Sequence, residues 1–430
     1  MNDHRYAFII VGSGAGGASL AAALAQAGKE VLILERGIWE EKFGTFSDAV
    51  RFYDGNKLTR IPKKSMEGTI LYQTFMAGGT TFVAYANAVR SLETPLRERG
   101  IDLSKHFAEV ETELNIQPLP ERFLSDGSKR IRQAAKDLGY TMRNMPKIVD
   151  YERCTSCGLC SFGCTAGAKW SALQPLQQAL NHGAEICYNT RVEKVLSENG
   201  KAVGLECVSD GKVQIYQGKV IVLAAGGLNT PVILKKSGFD QAGERLFMDL
   251  LVNVYGKTDE LNQLKEPLMS LLLDECHEDQ CFMLSTFYNS PRPTRLIEAG
   301  AAGALLNPKK MIGLMVKTID DRIGKVYQDG SVSKTPTPND QTRIGAGVQL
   351  ANKILIQAGA DPKSLLVTQV QGAHPGGTAA IGEIVDENLQ TKIDNLFVCD
   401  ASVLPEAPGL PPILTLLALA KFLAGKLVVM

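Results

Sequence analysis

The sequence predicts an α/β protein with a Rossmann-like dinucleotide-binding domain at its N-terminus. The apolar run Tyr6–Val11 predicts a strand that leads into the glycine-rich stretch Gly12–Gly17. An alanine-rich helix over Ala18–Gly28 is expected next, followed by a second apolar strand, Glu30–Leu34, that delivers the acid Glu35. This order of strand, turn, helix and strand, with an acid about twenty residues after the first glycine, is typical of the fold that binds dinucleotides.

The residue types in this segment match the needs of a bound pyrophosphate. Gly12 allows a tight turn, Gly14 lets the pyrophosphate approach the backbone, and Gly17 lets helix and strand pack closely. The helix N-terminus then faces the phosphates, and Glu35 can accept the ribose hydroxyls. The residues predicted to bind the dinucleotide here are Gly12, Ser13, Gly14, Ala15, Gly16, Gly17, Glu35 and Arg36.

A second motif lies between Cys154 and Lys169. Its four thiols follow the C-x2-C-x2-C-x3-C spacing of bacterial ferredoxins, and they belong to Cys154, Cys157, Cys160 and Cys164. Gly158 and Gly163 supply the small residues that a loop needs where its backbone crowds the sulfurs. The spacing predicts a ferredoxin-like cysteine loop that holds an iron–sulfur cluster, either 4Fe–4S or, with three ligands, 3Fe–4S. A structural zinc site fits less well, because such sites favour two separated C-x2-C pairs.

The fourth ligand of that cluster stays open. In two-cluster ferredoxins the fourth cysteine of the run serves the other cluster, and a proline follows it. Here Thr165 follows Cys164, and there is no second run. The fourth ligand is therefore either Cys164 itself or one of Cys187, Cys276 and Cys281. The scattered cysteines, which also include Cys207 and Cys399, lie partly in apolar runs where a reduced thiol packs as a small hydrophobe.

Composition excludes several classes of protein. The chain of 430 residues carries 46 Lys and Arg against 46 Asp and Glu, and basic clusters such as Lys63-Lys64 are too short for a nucleic-acid footprint. With no signal peptide and nine cysteines, the protein is expected in the cytoplasm. The apolar segment Pro411–Met430 is interrupted by Lys421 and Lys426, so it predicts a buried helix closing the fold rather than a membrane span.

Apolar periodicity predicts the remaining elements. Helices are expected over Phe107–Leu114 and Ser171–Asn181. A small antiparallel addition is expected next, and after it an apolar strand of the kind found in parallel sheets, ending at Gly226-Gly227. The predicted strands in this part of the chain are Ala184–Tyr188, Thr190–Val192, Val203–Val208, Val213–Tyr216 and Val220–Ala225.

Short motifs stand in a definite order along the chain. They are Gly78-Gly79-Thr80-Thr81, Gly163-Cys164-Thr165-Ala166-Gly167-Ala168-Lys169, Ala224-Ala225-Gly226-Gly227-Leu228-Asn229-Thr230-Pro231, Ala373-His374-Pro375-Gly376-Gly377-Thr378 and Val398-Cys399-Asp400-Ala401-Ser402-Val403-Leu404-Pro405. Together with the N-terminal fingerprint, this order resembles the glucose–methanol–choline (GMC) oxidoreductase family of flavoenzymes. Only the stretch from about 240 to 368 lacks specific signals, and it corresponds to the variable substrate domain of that family.

The resemblance implies FAD, not NAD, as the dinucleotide. It implies that Gly78 and Gly79 lie near the pyrophosphate or flavin, and that Val192 meets the adenine through its backbone. It also implies that Asp400 and Ala401 lie near the ribitol and pyrophosphate. The additional cofactor residues that it implies are Gly78, Gly79, Thr80, Asn87, Val192, Ala225, Gly226, Asp400, Ala401 and Pro412.

The same resemblance implies a domain organisation. Residues 1–90, 183–240 and 370–430 are expected to form one FAD-binding domain assembled from discontinuous segments. Residues 91–182 are expected to form a helical insertion with the cysteine loop, and residues 241–369 a smaller α+β substrate domain. Some family members that feed external acceptors carry an iron–sulfur cluster at this cysteine position, whereas others keep a lone cysteine equivalent to Cys164.

His374 is the candidate catalytic base. Removal of a hydride from a carbinol carbon requires a group that takes the hydroxyl proton, and a neutral imidazole suits this near neutral pH. The loop Gly372–Gly377, with its glycines and Pro375, could present that ring above a flavin. The other histidines lie in polar surroundings and are expected at the surface; they are His4, His106, His182 and His277.

One position departs from the family pattern. The family places a second His or Asn beside the substrate oxygen just before the last helix, and this chain has Pro411 there. A proline side chain neither donates nor accepts a hydrogen bond, so the usual pair is broken. A substitute donor is expected from residues 241–369, for example Tyr288 or Asn289.

Flavin and cluster together favour a dehydrogenase over an oxidase, because an oxidase needs only flavin and dioxygen. The leading hypothesis is hydride transfer from a hydroxylated small-molecule substrate to FAD, followed by electron transfer through the cluster to a one-electron carrier or electron-transfer subunit. That partner is a ferredoxin, a cytochrome or a quinone-linked protein. A quinone-linked partner could hold the enzyme at a membrane. One alternative runs in reverse and reduces an activated C=C or C=O bond. Another is a non-catalytic electron-transfer subunit, favoured by Pro411 and disfavoured by His374.

Overall fold

The computed structural model describes residues 4–56, 61–288 and 290–430. The helices are α1 Ala15–Gln26, α2 Phe46–Ala49, α3 Glu93–Arg97, α4 Ser104–Glu113, α5 Asp126–Asp137, α6 Leu173–Asn181, α7 Thr230–Lys236, α8 His277–Gln280, α9 Arg292–Ala304, α10 Pro338–Gln357 and α11 Ile413–Leu427. The strands are β1 Arg5–Val11, β2 Val31–Leu34, β3 Gly55–Asn56, β4 Ile61–Pro62, β5 Ile70–Leu71, β6 Gln117–Pro118, β7 Arg143–Asn144, β8 Pro146–Lys147, β9 Glu185–Cys187, β10 Thr190–Glu198, β11 Lys201–Ser209, β12 Lys212–Leu223, β13 Leu250–Lys257, β14 Leu271–Leu273, β15 Phe282–Thr286, β16 Met311–Thr318, β17 Lys325–Val326, β18 Val332–Ser333, β19 Leu366–Val367, β20 Gln371–Gly372 and β21 Leu396–Val398.

The first sheet is built on the N-terminal strand. Its strands follow the order β10-β11-β12-β1-β2-β9, and β21 also pairs with β12. Strand β1 runs parallel to β2 and β12, and β21 runs parallel to β12. The predicted strand, turn, helix and strand are therefore confirmed, although α1 begins at Ala15 and includes Gly16 and Gly17 in its first turn.

Strand β12 differs from its prediction. Two strands, Val213–Tyr216 and Val220–Ala225, were expected, but one strand of 12 residues spans Lys212–Leu223. Its first half pairs antiparallel with β11 and is mostly exposed, while its second half is buried and pairs parallel with β1. The polar residues between the two apolar runs mark the passage from the sheet edge into the core, and not a turn.

The second sheet combines strands from the middle of the chain with short strands from either side of it. Its order is β5-β20-β13-β16-β15-β14-β7, and β19 also pairs with β13. Strands β13 and β16 are antiparallel, with Leu251 opposite Lys317 and Asn253 opposite Met315. Because side chains alternate across a strand, these side chains share one face. Helix α10 packs on the strand β16, so the α+β character expected of this region is present.

Two large apolar clusters fill the molecule. Phe107 and Val110 of α4 join the cluster around the first sheet, whereas Leu124 and Ile131 join the cluster around the second. Residues 91–182 therefore contribute to both cores. Helix α11 is largely buried and packs on α1 and α4, which confirms the buried helix predicted for the C-terminal segment. None of the helices in the described ranges is long and apolar enough to cross a membrane.

Candidate active site

The carboxyl ends of four parallel strands meet at one cavity. Gly12 follows β1, Glu35 follows β2, Ala224 follows β12, and Asp400 lies just after β21; all four line a cavity of about 590 Å³. This edge of a parallel sheet is where open α/β folds bind their ligands, and the volume falls in the range of roughly 300–1,000 Å³ common for ligand pockets.

The glycines of the N-terminal turn serve two different purposes. A Cβ atom on Gly16 would lie 1.9 Å from the carbonyl oxygen of Cys399, and one on Gly17 would lie 2.1 Å from that of Gly12. Gly12 itself has φ +96°. The packing of the protein therefore requires these three glycines. A Cβ atom on Gly14 would meet nothing within 4 Å, so its open face is available to a ligand.

Glu35 is buried at the mouth of the turn. Its Oε2 atom accepts hydrogen bonds from the backbone N–H of Ser13 (3.0 Å) and its hydroxyl (2.6 Å), and Oε1 accepts one from the N–H of Gly37 (2.7 Å). Burial raises the pKa of this carboxyl, and the three hydrogen bonds oppose that shift. A carboxylate has about four acceptor sites, so one site on Oε1 is left for a ligand hydroxyl.

Asp400 connects two loops of the cavity wall. Its Oδ2 atom accepts from the N–H of Gly226 (2.8 Å) and the hydroxyl of Thr230 (2.5 Å), and Oδ1 accepts from the N–H of Ser402 (2.7 Å). Burial raises the pKa of Asp400. The carboxylate thus holds the loop after β12 against the loop after β21, both of which face the cavity.

Most of the other predicted cofactor residues also line this cavity. They are Ser13, Ala15, Arg36, Gly79, Thr80, Asn87, Val192, Ala225, Gly226, Ala401 and Pro412. Gly17 and Gly78 lie behind the wall: Gly17 packs on Gly12, and the N–H of Gly78 donates to the hydroxyl of Ser13 at 3.1 Å. Their contribution is to shape the wall rather than to touch a ligand.

His374 reaches the same cavity from the loop after β20. Its backbone N–H donates to the carbonyl of Met248 (2.9 Å), and its Nδ1 atom lies 2.8 Å from Oδ2 of the buried Asp249. Since a carboxylate accepts, Nδ1 carries the hydrogen and Nε2 is left as the acceptor. Burial and the nearby Lys317 lower the pKa of His374, and Asp249 opposes this. The imidazole is thus kept neutral and oriented.

Lys317 was not anticipated from the sequence. It lines the cavity from β16, its side chain is 1% exposed, and its Nζ atom lies 3.6 Å from Oδ2 of Asp249. Within the described residues, Nζ has no hydrogen-bond partner. Burial lowers its pKa to about 8, against the attraction of Asp249. One signal for it was available: a lysine inside an otherwise apolar strand, Met311–Thr318.

Of the two substitutes suggested for the missing side chain at Pro411, Tyr288 does not fill that role. Tyr288 lies in the apolar core on the second sheet, where its hydroxyl is hydrogen-bonded to that of Ser125, and it does not line the cavity. Asn289 lies outside the described residues. Pro411 does line the cavity, so the ionisable groups near His374 come from β16 and from Asp249 instead.

The remaining histidines lie away from the cavity. His4 and His182 are exposed, as predicted. His106 was expected at the surface but is partly buried, with its Nδ1 atom 3.3 Å from Oε2 of Glu109. His277 was expected at the surface but is half-buried, because its Nε2 atom contacts the carbonyl oxygen of Pro408 at 2.8 Å. The assignment of His374 as the histidine of the site therefore agrees with its position.

The cysteine loop contributes two residues, Ser161 and Phe162, to the wall of the cavity. Cys157 is exposed and Cys154, Cys160 and Cys164 are partly exposed. Burial raises the pKa of Cys154, and the thiols of Cys157, Cys160 and Cys164 add to that shift. However, no three His, Cys, Asp or Glu side chains in the described parts of the chain are arranged to hold a metal ion.

The other proposed fourth ligands lie elsewhere. Cys276 is buried in the core on the second sheet, and Cys187 neighbours Tyr6 and Tyr216 on the first sheet. Cys281 ends helix α8 near Arg343. Among the candidates for a fourth ligand, Cys164 is thus the cysteine that shares the loop with the other three. Cys207 and Cys399 are buried in the first core, as expected for reduced thiols in apolar runs.

Two buried lysines accompany the loop. The Nζ atom of Lys169 donates to the carbonyls of Phe82 (2.5 Å) and Cys160 (3.2 Å), and that of Lys147 donates to the carbonyl of Leu268 (2.9 Å) and to Asn87 Oδ1. Burial lowers the pKa of each lysine to about 8, and the Cys160 thiol opposes that shift. Asn87 also lines the cavity, so it joins the cavity wall to the surroundings of the cysteine loop.

Two models of the GMC oxidoreductase family match residues 6–251 and 331–420, which is most of the chain. The chain belongs to the GMC oxidoreductase family. The resemblance inferred from the short motifs is thereby confirmed, and the protein is an oxidoreductase by family.

Relatives and solved structures agree with this assignment. An uncharacterized protein of Methanocaldococcus jannaschii is 29% identical over 97% of this chain and 98% of its own length. A long-chain-alcohol oxidase of Arabidopsis thaliana is 25% identical over 98% of this chain and 67% of its own. The crystal structure of pyridoxine 4-oxidase from Mesorbium loti superposes with a TM-score of 0.76 at 16% identity, covering 98% of this chain and 99% of that one. The last similarity establishes the fold.

Proposed function

We propose that this GMC oxidoreductase binds FAD in a Rossmann-like site and oxidises an alcohol-type substrate. The observation that carries the proposal is the hydrogen bond between His374 and the buried Asp249, which places an oriented, neutral base in the same cavity as the glycine turn. The name of the long-chain-alcohol oxidase relatives supports a hydroxylated substrate.

The residues present fit an FAD molecule. Gly14 leaves its face of the helix α1 N-terminus open for a pyrophosphate, and Glu35 retains an acceptor site for a ribose hydroxyl. Val192 of strand β10 lines the same cavity and would meet the adenine. Asp400, Ala401 and Pro412 line the region assigned to the ribitol and flavin. Residues 1–90, 183–240 and 370–430 would form this FAD-binding domain, with residues 241–369 facing the substrate.

The protein's contribution to the chemistry is proton removal. When the carbinol C–H bond breaks, the hydroxyl must lose its proton, and Nε2 of His374 accepts it. The buried carboxylate of Asp249 then stabilises the imidazolium that forms. FAD, when bound, supplies the acceptor of the hydride. General base catalysis of this kind contributes roughly 10²–10⁴-fold to the rate.

The cysteine loop is proposed to carry an iron–sulfur cluster, with Cys154, Cys157, Cys160 and Cys164 as ligands. The ferredoxin spacing of the four cysteines within one loop supports this. The buried ammonium groups of Lys147 and Lys169 would offset the negative charge of such a cluster. Because the thiols do not converge on one centre as they stand, binding requires their side chains to rotate inward. The cluster would supply one-electron transfer to a ferredoxin, a cytochrome or a quinone-linked partner.

A second candidate function is that of an oxidase that passes electrons from FAD directly to dioxygen. Relatives named as alcohol oxidases favour it. The two candidates share FAD, His374 and the alcohol substrate, and they differ only in the electron acceptor.

One experiment separates these candidates. The protein is purified anaerobically, its flavin is identified after denaturation, and iron and acid-labile sulfide are measured. A panel of alcohols is then added without oxygen, and the flavin absorbance is followed. Bleaching by an alcohol with iron present, and reoxidation faster by a one-electron dye than by dioxygen, supports the dehydrogenase. Rapid reoxidation by dioxygen without iron supports the oxidase. Absence of FAD, or bleaching only by reduced ferredoxin, contradicts the proposal.

A further inference from the structure

We propose that Lys317 is a second catalytic residue of this enzyme, beside His374. Its ammonium group stabilises the negative charge that develops on the substrate oxygen while His374 takes the hydroxyl proton. The inference rests on the proposed alcohol oxidation. It assigns a cation to the task that a His or Asn side chain at the position of Pro411 would otherwise perform.

The strongest observation is a buried ammonium with unused donors. Lys317 is 1% exposed and lines the cavity. Its Nζ atom has no hydrogen-bond partner within the described residues, although an ammonium carries three donors. A buried polar group without a partner is costly. An oxygen atom bound in the cavity beside His374 would give Nζ the acceptor that the protein does not provide.

The ammonium is not needed to orient Asp249, although the two groups form an ion pair. Oδ1 of Asp249 accepts from the N–H of Gly409 at 2.9 Å, and Oδ2 contacts Nδ1 of His374 at 2.8 Å. The carboxylate is therefore fixed by two hydrogen bonds of its own. Lys317 stands farther away, at 3.6 Å from Oδ2, which is beyond hydrogen-bond distance.

The surroundings increase the effect of the charge. Lys317 lies opposite Leu251 in the sheet, and Met315 precedes it on the same face; both apolar side chains line the cavity. An ammonium in such a low-dielectric site interacts far more strongly with a nearby negative charge than it would in water. Because it projects from a paired strand, its position is set by the sheet.

The charges present favour a neutral substrate. Lys317 and Asp249 carry opposite charges and His374 is neutral, so the resting group has no net charge. In the reaction the O–H bond breaks and its proton goes to Nε2 of His374; the C–H bond breaks, its electron pair leaves as hydride to the flavin, and a C=O bond forms. The oxygen is most negative between these events, when Lys317 can stabilise it.

The test compares Lys317→Met, Lys317→Arg and the control Lys257→Met in FAD-loaded enzyme. Lys257 is an exposed lysine on the neighbouring strand β13. The probes are straight-chain 1-alkanols and the ω-hydroxy carboxylates of equal length, mixed anaerobically while flavin absorbance is followed. For the best alkanol, Lys317→Met should slow the limiting rate about 10²–10³-fold, as loss of one oxyanion donor does, with little change in the half-saturating concentration. Lys317→Arg should restore part of the rate, and Lys257→Met should behave as wild type.

A second readout needs no substrate. Histidine labelled with ¹⁵N reports the pKa of His374 by NMR, and loss of the Lys317 cation should raise that pKa in Lys317→Met but not in Lys257→Met, because the cation lowers it. An unchanged pKa, or an unchanged limiting rate, would overturn the proposal. A change in Lys317→Met that is confined to the half-saturating concentration of the hydroxy carboxylates would also overturn it, because Lys317 would then be a carboxylate-binding residue. If no alcohol bleaches the wild-type flavin, the proposed function fails as well, while the NMR result still reports whether Lys317 acts on His374.

Discussion

The Nδ1 atom of His374 lies 2.8 Å from Oδ2 of Asp249, two residues that are 125 positions apart in the chain. Asp249 has no exposed side-chain surface. His374 follows strand β20 of the second sheet, and Asp249 precedes strand β13 of the same sheet. Their contact leaves Nε2 of His374 as the basic atom of the ring.

His374→Ala should slow reduction of the flavin by an alcohol by about two to four orders of magnitude, because general base catalysis is lost. Flavin content should be retained, since the cofactor residues lie on other loops. Anaerobic stopped-flow absorbance measures the rate, with His182→Ala, an exposed histidine, as the control. Wild-type rates in His374→Ala would place the base elsewhere.

The rate of flavin reduction should depend on pH in a bell shape. His374 must be neutral to accept a proton, and its pKa is below the usual 6.5, so the rate should rise with pH only below that value. Lys317 must be charged, and its pKa is about 8, so the rate should fall as pH rises above that value. Lys317→Arg keeps its charge and should lose the alkaline limb. A flat profile between pH 6 and 10 in the wild type would contradict the role of Lys317.

Asp249→Asn should be strongly destabilising, by about 3–5 kcal/mol, because it leaves the buried Lys317 ammonium without its counter-charge. The double variant Asp249→Asn/Lys317→Met should recover part of that loss, since both charges are then removed. Urea unfolding of the single and double variants measures the coupling. Additive losses would mean that the two charges do not interact in the folded protein.

Gly14→Ala and Gly16→Ala should separate ligand binding from folding. A Cβ atom on Gly14 meets no protein atom within 4 Å, so the apoprotein should keep its stability within about 0.5 kcal/mol, while FAD binding weakens. A Cβ atom on Gly16 would lie 1.9 Å from the carbonyl of Cys399, so that variant should unfold more easily even without FAD. Melting of the apoproteins and fluorescence titration with FAD test both. Normal FAD affinity in Gly14→Ala would contradict the assigned pyrophosphate position.

Serine at Cys154, Cys157 or Cys160 should abolish iron binding, because a serine oxygen is a poor ligand for a soft-metal site. The flavin should still bleach with substrate in these variants, but transfer to a one-electron dye should become slow. Cys187→Ser, which lies on the first sheet, is the control. Zinc without iron, or no metal in the anaerobically purified wild type, would remove the cluster from the proposal and favour dioxygen as the acceptor.

Local chemistry determined much of this protein from the sequence alone. The strand, turn and helix at Gly12–Gly17 follow from short-range rules: apolar residues form the strand, and Gly12 allows the positive φ that the turn requires. The family follows from such motifs in order. His374 could be chosen because its loop of small residues is itself a local feature.

Long-range pairing decided the rest. In the sequence, Asp249 and Lys317 are single ionisable residues within apolar runs. The antiparallel register of β13 and β16 brings these two residues together, and the loop after β20 adds His374 to them. No local rule specifies which buried charges will meet, since their pairing depends on strand order and on side-chain direction across a sheet. For the same reason Tyr288, which follows strand β15 closely in the sequence, packs into the apolar cluster around the second sheet and not into the cavity.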